Sequence, residues 1–300
     1  MDIIIEEQGL RDGLQTLTNI FPVELKLRWI EKLVNAGVKR IQVASFVHPK
    51  LVPQMADAEQ LFLQLPDYEG VIISALVLNK KGVERAINVG VKHLAVSLSA
   101  SNTHSLKNSG MNIEQAKVSF KGMITLANEN KIAVRGGIQC AFGCRFEGKI
   151  DENIVLDLVK YYLDLGLNEI ALADSTGMAN PKQLKELMQK IVEMAQNKAI
   201  SLHLHNTENK GYANVYAAIE AGVRQFDTAF GGLGGCPFIE NATGNIATED
   251  TVNMLHQMGY ETGISIEKIT EISKEMQAEL GYPLPSLFYK LFQKNEILKI

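Results

Sequence analysis

Short apolar segments alternate with longer amphipathic segments along all 300 residues of the chain, and this alternation constrains the fold more than any other feature. Stretches with the length and composition of strands fall at residues 3–6, 40–45, 71–77, 92–99, 132–140, 169–174, 199–205 and 225–230. Apolar residues recur with helical spacing at residues 23–36, 113–130, 153–166, 211–221, 248–258 and 265–280. Two further helices are predicted, one that ends near residues 88–90 and one that begins near Pro181. Repeated strand–helix units require parallel strands joined by right-handed crossovers.

Eight such units, with no long polar linker between them, predict a closed (β/α)8 TIM barrel with extra C-terminal helices. We expect a single domain over residues 1–300, in which residues from about 248 to 300 form helices packed on the barrel. The alternative is an open doubly wound sheet, but no Gly-x-Gly-x-x-Gly motif follows the first strand. In a barrel, reactive side chains lie at the carboxyl ends of the strands and in the loops that follow.

Two histidines close the seventh predicted strand. Leu204 separates His203 from His205, and side chains two positions apart on a strand point to the same face. Such a pair is either satisfied by hydrogen bonds in a core or binds one metal ion. The polar residues Asn206 and Thr207 come next, so the pair lies at the carboxyl end of the strand, which favours the metal.

Two oxygen-bearing side chains follow other strand ends. Asp12 comes after the first strand, and Asn245 comes after the glycine-rich segment that follows the eighth. Together with the two histidines they would form a mixed oxygen and nitrogen site that suits Mg²⁺, Mn²⁺ or another divalent cation. A single carboxylate leaves such a site with net positive charge, which would stabilise an alkoxide or enolate on a bound substrate.

Three further features have two interpretations each. Arg11, beside Asp12, is either half of a surface ion pair or a fixed cation for an oxyanion or a thioester carbonyl. The glycine-rich segment at residues 231–237 is either a turn or the hinge of a lid that excludes water. Cys236, within it, is either a buried small hydrophobe or an acid–base group above a cationic site.

Bulk composition argues against several classes of function. A formal net charge of −4 and the lack of a long basic run give no electrostatic case for nucleic-acid binding. No stretch approaches the roughly 20 apolar residues of a membrane span, and we expect no signal peptide. Cys140, Cys144 and Cys236 are too few and too scattered for a disulfide framework, so we expect a reducing, cytoplasmic compartment.

Taken together, these residues resemble the 3-hydroxy-3-methylglutaryl-CoA lyase family of the DRE-TIM metallolyase superfamily, and the resemblance covers nearly the whole chain. The matching motifs lie at residues 9–15, 45–47, 49–50, 52–55, 144–150, 231–237 and 242–250. The last two are the most specific, because related synthases of the superfamily share the Arg-Asp-Gly and His-x-His elements but usually lack the cysteine loop.

The resemblance implies metal-dependent cleavage of a 3-hydroxy-3-methylglutaryl-CoA-type thioester to acetyl-CoA and acetoacetate. The implied ligands of a Mg²⁺ or Mn²⁺ cofactor are Asp12, His203, His205 and Asn245. The implied catalytic residues are Arg11, Asp12, Gln42, Asp174, His203 and Cys236, and the implied substrate-binding residues are Arg11, Gln15 and Lys50. The implied partner is a small-molecule acyl-CoA, with no nucleic acid or membrane, and barrel enzymes of this kind often form homodimers.

The resemblance also assigns roles. Arg11 would stabilise the departing acetyl-CoA enolate at its thioester oxygen, and Cys236 would protonate the enolate carbon. Asp174 would assist proton transfer at the mouth of the barrel, and Lys50 would lie near the CoA moiety.

Three positions depart from the family pattern. Gln42 stands where the second strand of the family carries a glutamate, so the shape is nearly kept while the ionisable group is lost. If that carboxylate moves the hydroxyl proton or orients Arg11, its loss lowers the rate by about 10²–10⁴-fold. Arg145 replaces a usual proline and adds a cation near the mouth, and Asn206 replaces a common aspartate.

Three functions are compatible with these residues. The first is a carbon–carbon lyase for 3-hydroxy-3-methylglutaryl-CoA. The second is an aldolase or lyase of the same mechanism that acts on a different 3-hydroxy acid. The third, motivated by Gln42, is an acyl-CoA- or metal-binding protein that has lost turnover.

Overall fold

The computed structural model describes residues 2–234 and 244–297. Within them, eight parallel strands close into a barrel in chain order, and β8 pairs with β1. The strands are β1 (Ile4–Glu7), β2 (Arg40–Ser45), β3 (Ile72–Leu76), β4 (His93–Ser99), β5 (Ala133–Gln139), β6 (Glu169–Asp174), β7 (Ala199–Leu204) and β8 (Gln225–Thr228). The predicted (β/α)8 barrel is therefore confirmed, and the closure of the sheet excludes the open doubly wound alternative.

Helices surround the barrel and continue beyond it. They are α1 (Val23–Asn35), α2 (Ala58–Gln64), α3 (Lys80–Asn88), α4 (Asn102–Ser109), α5 (Ile113–Glu129), α6 (Glu152–Asp164), α7 (Pro181–Ala195), α8 (Gly211–Glu220), α9 (Thr248–Gln257), α10 (Ile266–Leu280) and α11 (Leu287–Ile297). No described helix is long and apolar enough to cross a membrane.

The structure corrects the prediction that two helices close the chain, because α11 follows α9 and α10. The first N–H groups of α11, those of Leu287 and Phe288, donate to the carboxylate of Asp250 on α9, at 3.0 and 2.7 Å. This helix start is thus stabilised by a residue distant in sequence. The short helices α2 and α4 were also not predicted, since neither is long enough to show a clear apolar period.

The predicted end of the eighth strand is wrong by two residues. β8 stops at Thr228, and Phe230–Gly232 form a short 3-10 turn in which Gly231 and Gly232 have φ of 65° and 72°. These left-handed conformations favour glycine and end the strand.

The inside of the barrel is charged at its amino-terminal end, although barrels of this type are usually filled with branched apolar side chains. Arg40 donates from Nε to Glu6 Oε2 at 2.9 Å and from Nη2 to Glu169 Oε2 at 2.5 Å. Arg135 Nη1 lies 3.0 Å from Glu6 Oε2. We call these four residues, Glu6, Arg40, Arg135 and Glu169, the barrel floor. The apolar core lies outside the strands, between the sheet and the helices.

Candidate active site

A single π-helical turn, Gly9–Gly13, follows β1 and carries Arg11 and Asp12. The backbone N–H groups of Arg11, Asp12 and Gly13 all donate to the carbonyl of Gln8, at 3.1, 2.7 and 3.2 Å. This compact turn holds the arginine and the aspartate at the carboxyl end of β1, where both line the central cavity. We call this end of the barrel, with its loops, the barrel mouth.

Asp12 meets both histidines at the barrel mouth. One potential ligand atom from each of Asp12, His203 and His205 lies within 4.8 Å of the other two. The Nε2 atoms of the two imidazoles are 3.2 Å apart, and Asp12 Oδ2 is 3.8 Å from His203 Nε2. The structure thus brings together a carboxylate and two imidazoles that are far apart in the sequence.

Asn245 joins the same group. An isolated bridge pairs it with His205, and its Nδ2 donates to Asp12 Oδ2 at 2.8 Å and to the carbonyl of Leu233 at 3.0 Å. Its Oδ1 is buried and has no hydrogen-bond partner among the described residues. An unpaired buried acceptor is costly, so this oxygen is available to a ligand that the site would hold.

The four side chains fit a divalent cation. They offer carboxylate and amide oxygens together with imidazole nitrogens, and two facing Nε2 atoms share at most one proton in a neutral pair. Burial, followed by the proximity of His203, lowers the pKa of His205 to about 4, so this imidazole is neutral and able to donate its lone pair. Burial opposes ionisation of Asp12, but Arg11 and the two histidines outweigh it and hold its pKa well below the usual value.

Asp227, on β8, orients one of the histidines. Its Oδ2 lies 3.2 Å from His203 Nδ1, while its Oδ1 accepts from Arg135 Nη2 at 2.6 Å. A proton on Nδ1 leaves the lone pair of Nε2 directed towards Asp12 and His205, which is how carboxylates usually support imidazole ligands. The sequence did not single out Asp227, although its inward position follows from the alternation of β8 after Gln225.

Arg11 is fixed by three acceptors. Its Nε donates to Gln42 Oε1 at 2.5 Å, Nη2 donates to Gln8 Oε1 at 2.9 Å, and Nη1 pairs with Asp12. The pair with Asp12 is largely buried, so the interpretation of a surface ion pair is wrong. Gln42 thus accepts from Arg11 through a neutral amide.

The cavity that these residues enclose has a volume of about 260 Å³. One wall carries the metal-ligand candidates together with Arg11, Gln15 and Gln42. The lining also includes uncharged polar side chains, among them Ser97, Asn108, Gln139 and Ser175, together with small and apolar residues. A cavity of this volume can hold a small acyl group.

Three predicted site residues lie elsewhere. Asp174 is not among the cavity-lining residues: it is buried, and its Oδ2 accepts the backbone N–H of Ala179 at 3.1 Å. Its neighbours Ala173 and Ser175 line the cavity instead, because side chains alternate along β6. Lys50 is exposed and does not line the cavity. Cys236 lies outside the described residues.

The two remaining departures from the family pattern have structural partners. Arg145 Nη2 lies 2.9 Å from Glu208 Oε1 and donates to the carbonyl of Thr176 at 3.2 Å, outside the cavity lining. Asn206 Oδ1 accepts the N–H of Gly211 at 3.0 Å, at the start of α8. Neither residue places a charge among the metal-ligand candidates.

Known proteins are similar to this chain over most of its length. A model of the HMGL-like family matches residues 2–276. A hydroxymethylglutaryl-CoA lyase from Pseudomonas mevalonii is 36% identical over 275 residues, which cover 92% of this chain and 91% of that protein. An (R)-citramalyl-CoA lyase from Chloroflexus aurantiacus is 36% identical over 298 residues, 96% of this chain and 94% of that protein.

The solved structures include a similar barrel. An HMG-CoA lyase from Acinetobacter baumannii, in complex with coenzyme A and 3-methylmalate, superimposes with a TM-score of 0.92 at 40% identity, covering 96% of this chain and 94% of that one. The family match spans most of the chain, and the relatives are aligned over nearly their full lengths. The chain therefore belongs to the HMGL-like family and is a lyase of the carbon–carbon type.

Proposed function

We propose that this enzyme cleaves 3-hydroxy-3-methylglutaryl-CoA, or a close 3-hydroxy acyl-CoA, with the help of a divalent cation. For the named substrate the products are acetyl-CoA and acetoacetate. The observation that carries the proposal is the meeting of Arg11, Asp12, His203 and His205 at one end of a cavity of acyl size. A cation site beside a fixed arginine is suited to a reaction that creates negative charge on oxygen.

The proposed cofactor is Mg²⁺ or Mn²⁺, held by Asp12, His203, His205 and Asn245. When bound, it would supply a Lewis acid for the hydroxyl and carboxylate oxygens of the substrate. The donor types and the unpaired Oδ1 of Asn245 support this assignment.

Arg11 is proposed to bind the thioester oxygen. Its guanidinium is held in place by Gln8, Gln42 and Asp12, which leaves further N–H groups on the same planar fork. As the carbon–carbon bond breaks, its electron pair moves to the acetyl-CoA fragment and charge gathers on that oxygen. A preorganised cation at this point lowers the barrier without any rearrangement during the reaction.

Two protons must move. The hydroxyl of the substrate loses one as its oxygen becomes a ketone, and the enolate carbon gains one as acetyl-CoA forms. Gln42 cannot accept a proton, and both ring nitrogens of His203 are taken up, one by Asp227 and the other by the proposed cation. The proposed acceptor is therefore the carboxylate of Asp12. Cys236 is the proposed donor, by its match to the family motif in residues 231–237.

We propose supporting roles for Asp174, Lys50 and Gln15. Asp174 accepts the N–H of Ala179 and faces away from the cavity, which supports a role in positioning residues 175–179 beside it. Lys50, exposed on the loop after β2, is proposed to contact the CoA moiety outside the cavity. Gln15 donates to Asp12 Oδ1 at 2.9 Å, which supports a role in holding the aspartate and the substrate end next to it.

A second substrate is favoured by two observations. Gln42 removes the carboxylate expected beside Arg11, and the citramalyl-CoA lyase is as similar to this chain as the hydroxymethylglutaryl-CoA lyase. Citramalyl-CoA would bring its own carboxylate one methylene closer to the carbinol carbon. The neutral amide of Gln42 would donate to that carboxylate where a glutamate would repel it.

A substrate panel tests these proposals. The metal-loaded enzyme is given each of the two thioesters, and acetyl-CoA release is followed by a coupled assay for the wild type and for Gln42→Glu. Cleavage of the methylglutaryl thioester supports the first proposal, and selective cleavage of citramalyl-CoA that Gln42→Glu reverses supports the second. Binding of both without cleavage by either variant would support a protein that has lost turnover.

The setting of the enzyme is also a proposal. We propose a cytoplasmic homodimer that works on small-molecule acyl-CoA, without nucleic acid or membrane partners. The free thiols of Cys140 and Cys144 are compatible with a reducing compartment. Light scattering on the purified chain tests the dimer, because a mass of one chain would contradict it.

A further inference from the structure

Three segments of the chain meet around the carboxylate of Glu7, the last residue of β1. The first is the turn Gly9–Gly13, which carries Arg11 and Asp12. The second is residues 230–234, which follow β8, and the third is residues 245–248, which begin with Asn245. We call them the three mouth segments. The three segments are far apart in sequence, so the backbone does not join them directly. Their shared contacts with Glu7 connect them instead.

Glu7 accepts a hydrogen bond from each mouth segment. Its Oε1 accepts the N–H of Gly9 at 2.6 Å and the N–H of Phe230 at 3.0 Å. Its Oε2 accepts the hydroxyl of Thr248 at 2.6 Å. The side chain is fully buried and lies on the outer face of β1, since its neighbours Glu6 and Gln8 contact each other on the inner one.

Each segment also contacts the proposed cation site directly. The turn supplies Asp12 itself. Leu233 accepts from Asn245 Nδ2 at 3.0 Å through its carbonyl, and the carbonyl of Gly234 accepts the N–H of Asn245 at 3.2 Å. Thr248 lies three residues after Asn245. A movement of the turn relative to the third segment therefore changes the distance between the carboxylate of Asp12 and the amide of Asn245, and the second segment holds that amide through its carbonyls.

Close packing leaves little room for such movement. A Cβ atom added to Gly9 would lie 2.6 Å from the ring of Phe230, and one added to Gly13 would lie 2.8 Å from Cβ of Leu233. The backbone of the turn thus packs against side chains of the second segment at both ends of the turn. In a densely packed region, a shift at one contact is transmitted to the next.

We propose that Glu7 is a positioning residue that sets the placement of Asp12 relative to Asn245, and through it the affinity of the site for its cation. The inference rests on the proposed metal site. Glu7 touches neither the cation site nor the cavity, so its effect is exerted through the three mouth segments.

Acceptor geometry, and not charge, is what Glu7 contributes. Burial raises the pKa of this carboxyl to about 7, although the hydrogen bonds from Thr248 and from the backbone oppose the shift. A glutamine in its place keeps one oxygen for the N–H groups of Gly9 and Phe230. Its amide can donate to the Thr248 hydroxyl, which then donates to Thr228 Oγ1, 2.7 Å away.

Titration of the metal-stripped protein with Mn²⁺, followed by electron paramagnetic resonance without substrate, tests the inference. Glu7→Ala should weaken Mn²⁺ binding by about 10- to 100-fold, the usual effect of losing an outer partner of a metal site. Glu7→Gln should bind within about threefold of the wild type. Thr248→Val, which removes the hydrogen bonds to Glu7 and Thr228 and keeps the shape, should weaken binding by about three- to tenfold.

Glu169→Gln is the control for loss of stability. Its carboxylate pairs with Arg40 and His93 on the barrel floor and touches none of the three mouth segments. It should lower the melting temperature and leave Mn²⁺ affinity within about twofold. If Glu7→Ala does not fold, Thr248→Val and Glu7→Gln carry the test.

Two results would overturn the inference. One is wild-type Mn²⁺ affinity in Glu7→Ala or, where that variant does not fold, in Thr248→Val. The other is an equal loss of affinity in Glu169→Gln, which would make the effect one of stability alone. A wild type that binds no Mn²⁺ at all would overturn the proposed metal site and this inference with it.

Discussion

The barrel floor and the barrel mouth bury similar polar groups inside the same ring of strands, yet they satisfy them differently. On the floor, two arginines face two glutamates, with contacts of 2.5 to 3.0 Å. At the mouth, two imidazole nitrogens face each other at 3.2 Å, and the amide oxygen of Asn245 has no described partner. Opposite charges neutralise each other on the floor, whereas at the mouth Arg11 pairs with Asp12 and the two imidazoles direct ring nitrogens at each other. The difference supports the proposal that the floor stabilises the fold and that the mouth binds a ligand.

Removing Asp12 should have the largest effect. Asp12→Ala deletes the one carboxylate among the proposed ligands, so we expect kcat/KM to fall by about 10⁴-fold, equivalent to about 5 kcal/mol. Steady-state kinetics at saturating Mg²⁺ measures this. The control is Asp67→Ala, which changes an exposed aspartate far from the mouth. If kcat/KM falls by less than tenfold in Asp12→Ala, the mouth would not differ from the floor in binding a cation that the reaction needs.

Removing an ion pair of the barrel floor should lower the stability of the protein and leave Mn²⁺ binding at the mouth unchanged. Arg40→Met leaves Glu6 and Glu169 without their shared cation, which should cost about 3–5 kcal/mol in the free energy of unfolding. Urea denaturation measures the loss, and a Mn²⁺ titration of the folded variant should give an affinity near that of the wild type. An affinity that falls along with stability would mean that floor and mouth are a single cooperative unit.

Asp227 connects the two regions, and changing it should have an intermediate effect. In Asp227→Asn the amide can present N–H to His203 Nδ1, which favours the tautomer with its proton on Nε2, the nitrogen that faces the site. We expect Mn²⁺ affinity to fall by about 10- to 100-fold. Ser201→Ala is the matched control, because it removes another partner of Arg135 without touching His203. Equal effects of the two variants would contradict the orienting role.

The smallest effect concerns the pH dependence of stability. Burial raises the pKa of Glu249 to about 8 against hydrogen bonds from Ser273 and Gly231, so the folded protein keeps this carboxyl protonated above its ordinary pKa of 4.5. Its stabilising contribution is fully present below pH 4.5 and is lost as the pH rises through 8. Between pH 7 and 8 the wild type should therefore lose about 1 kcal/mol more than Glu249→Gln.

Urea denaturation of both proteins at several pH values measures this difference. Parallel curves between pH 7 and 8 would show that Glu249 is already ionised in the folded protein. Since Glu249 binds the N–H of Gly231 at the root of the glycine-rich segment, activity assays at pH 7 would show whether the substitution also disturbs the mouth.

Most of the barrel could be predicted from the sequence because each strand is a short apolar run set off by polar loops. β2 and β6 have the predicted limits. The helices that were missed are short or depend on distant partners, as α11 depends on Asp250. A local pattern contains no information about a cap that lies 37 residues away.

The site could be predicted in part. The turn of residues 9–13 and the two histidines stand at strand ends, and barrel topology brings strand ends together. Asp174 was expected at the mouth, although the alternation of Ile170 and Leu172 with the alanines of β6 already places it on the outer face. The contacts of Glu7 with Thr248 and of Arg11 with Gln42 become visible only in the folded chain, because these partners lie 241 and 31 residues apart.

The central claim is that the mouth binds a divalent cation that carbon–carbon cleavage requires. The most direct test strips the protein of metal, titrates it with Mn²⁺, and follows acetoacetate released from 3-hydroxy-3-methylglutaryl-CoA at each step. We predict one Mn²⁺ bound per chain, no cleavage before it binds, and cleavage that rises in proportion to occupancy, with both lost in Asp12→Ala. Cleavage that persists in the stripped protein, or Mn²⁺ binding that survives in Asp12→Ala, would contradict the claim.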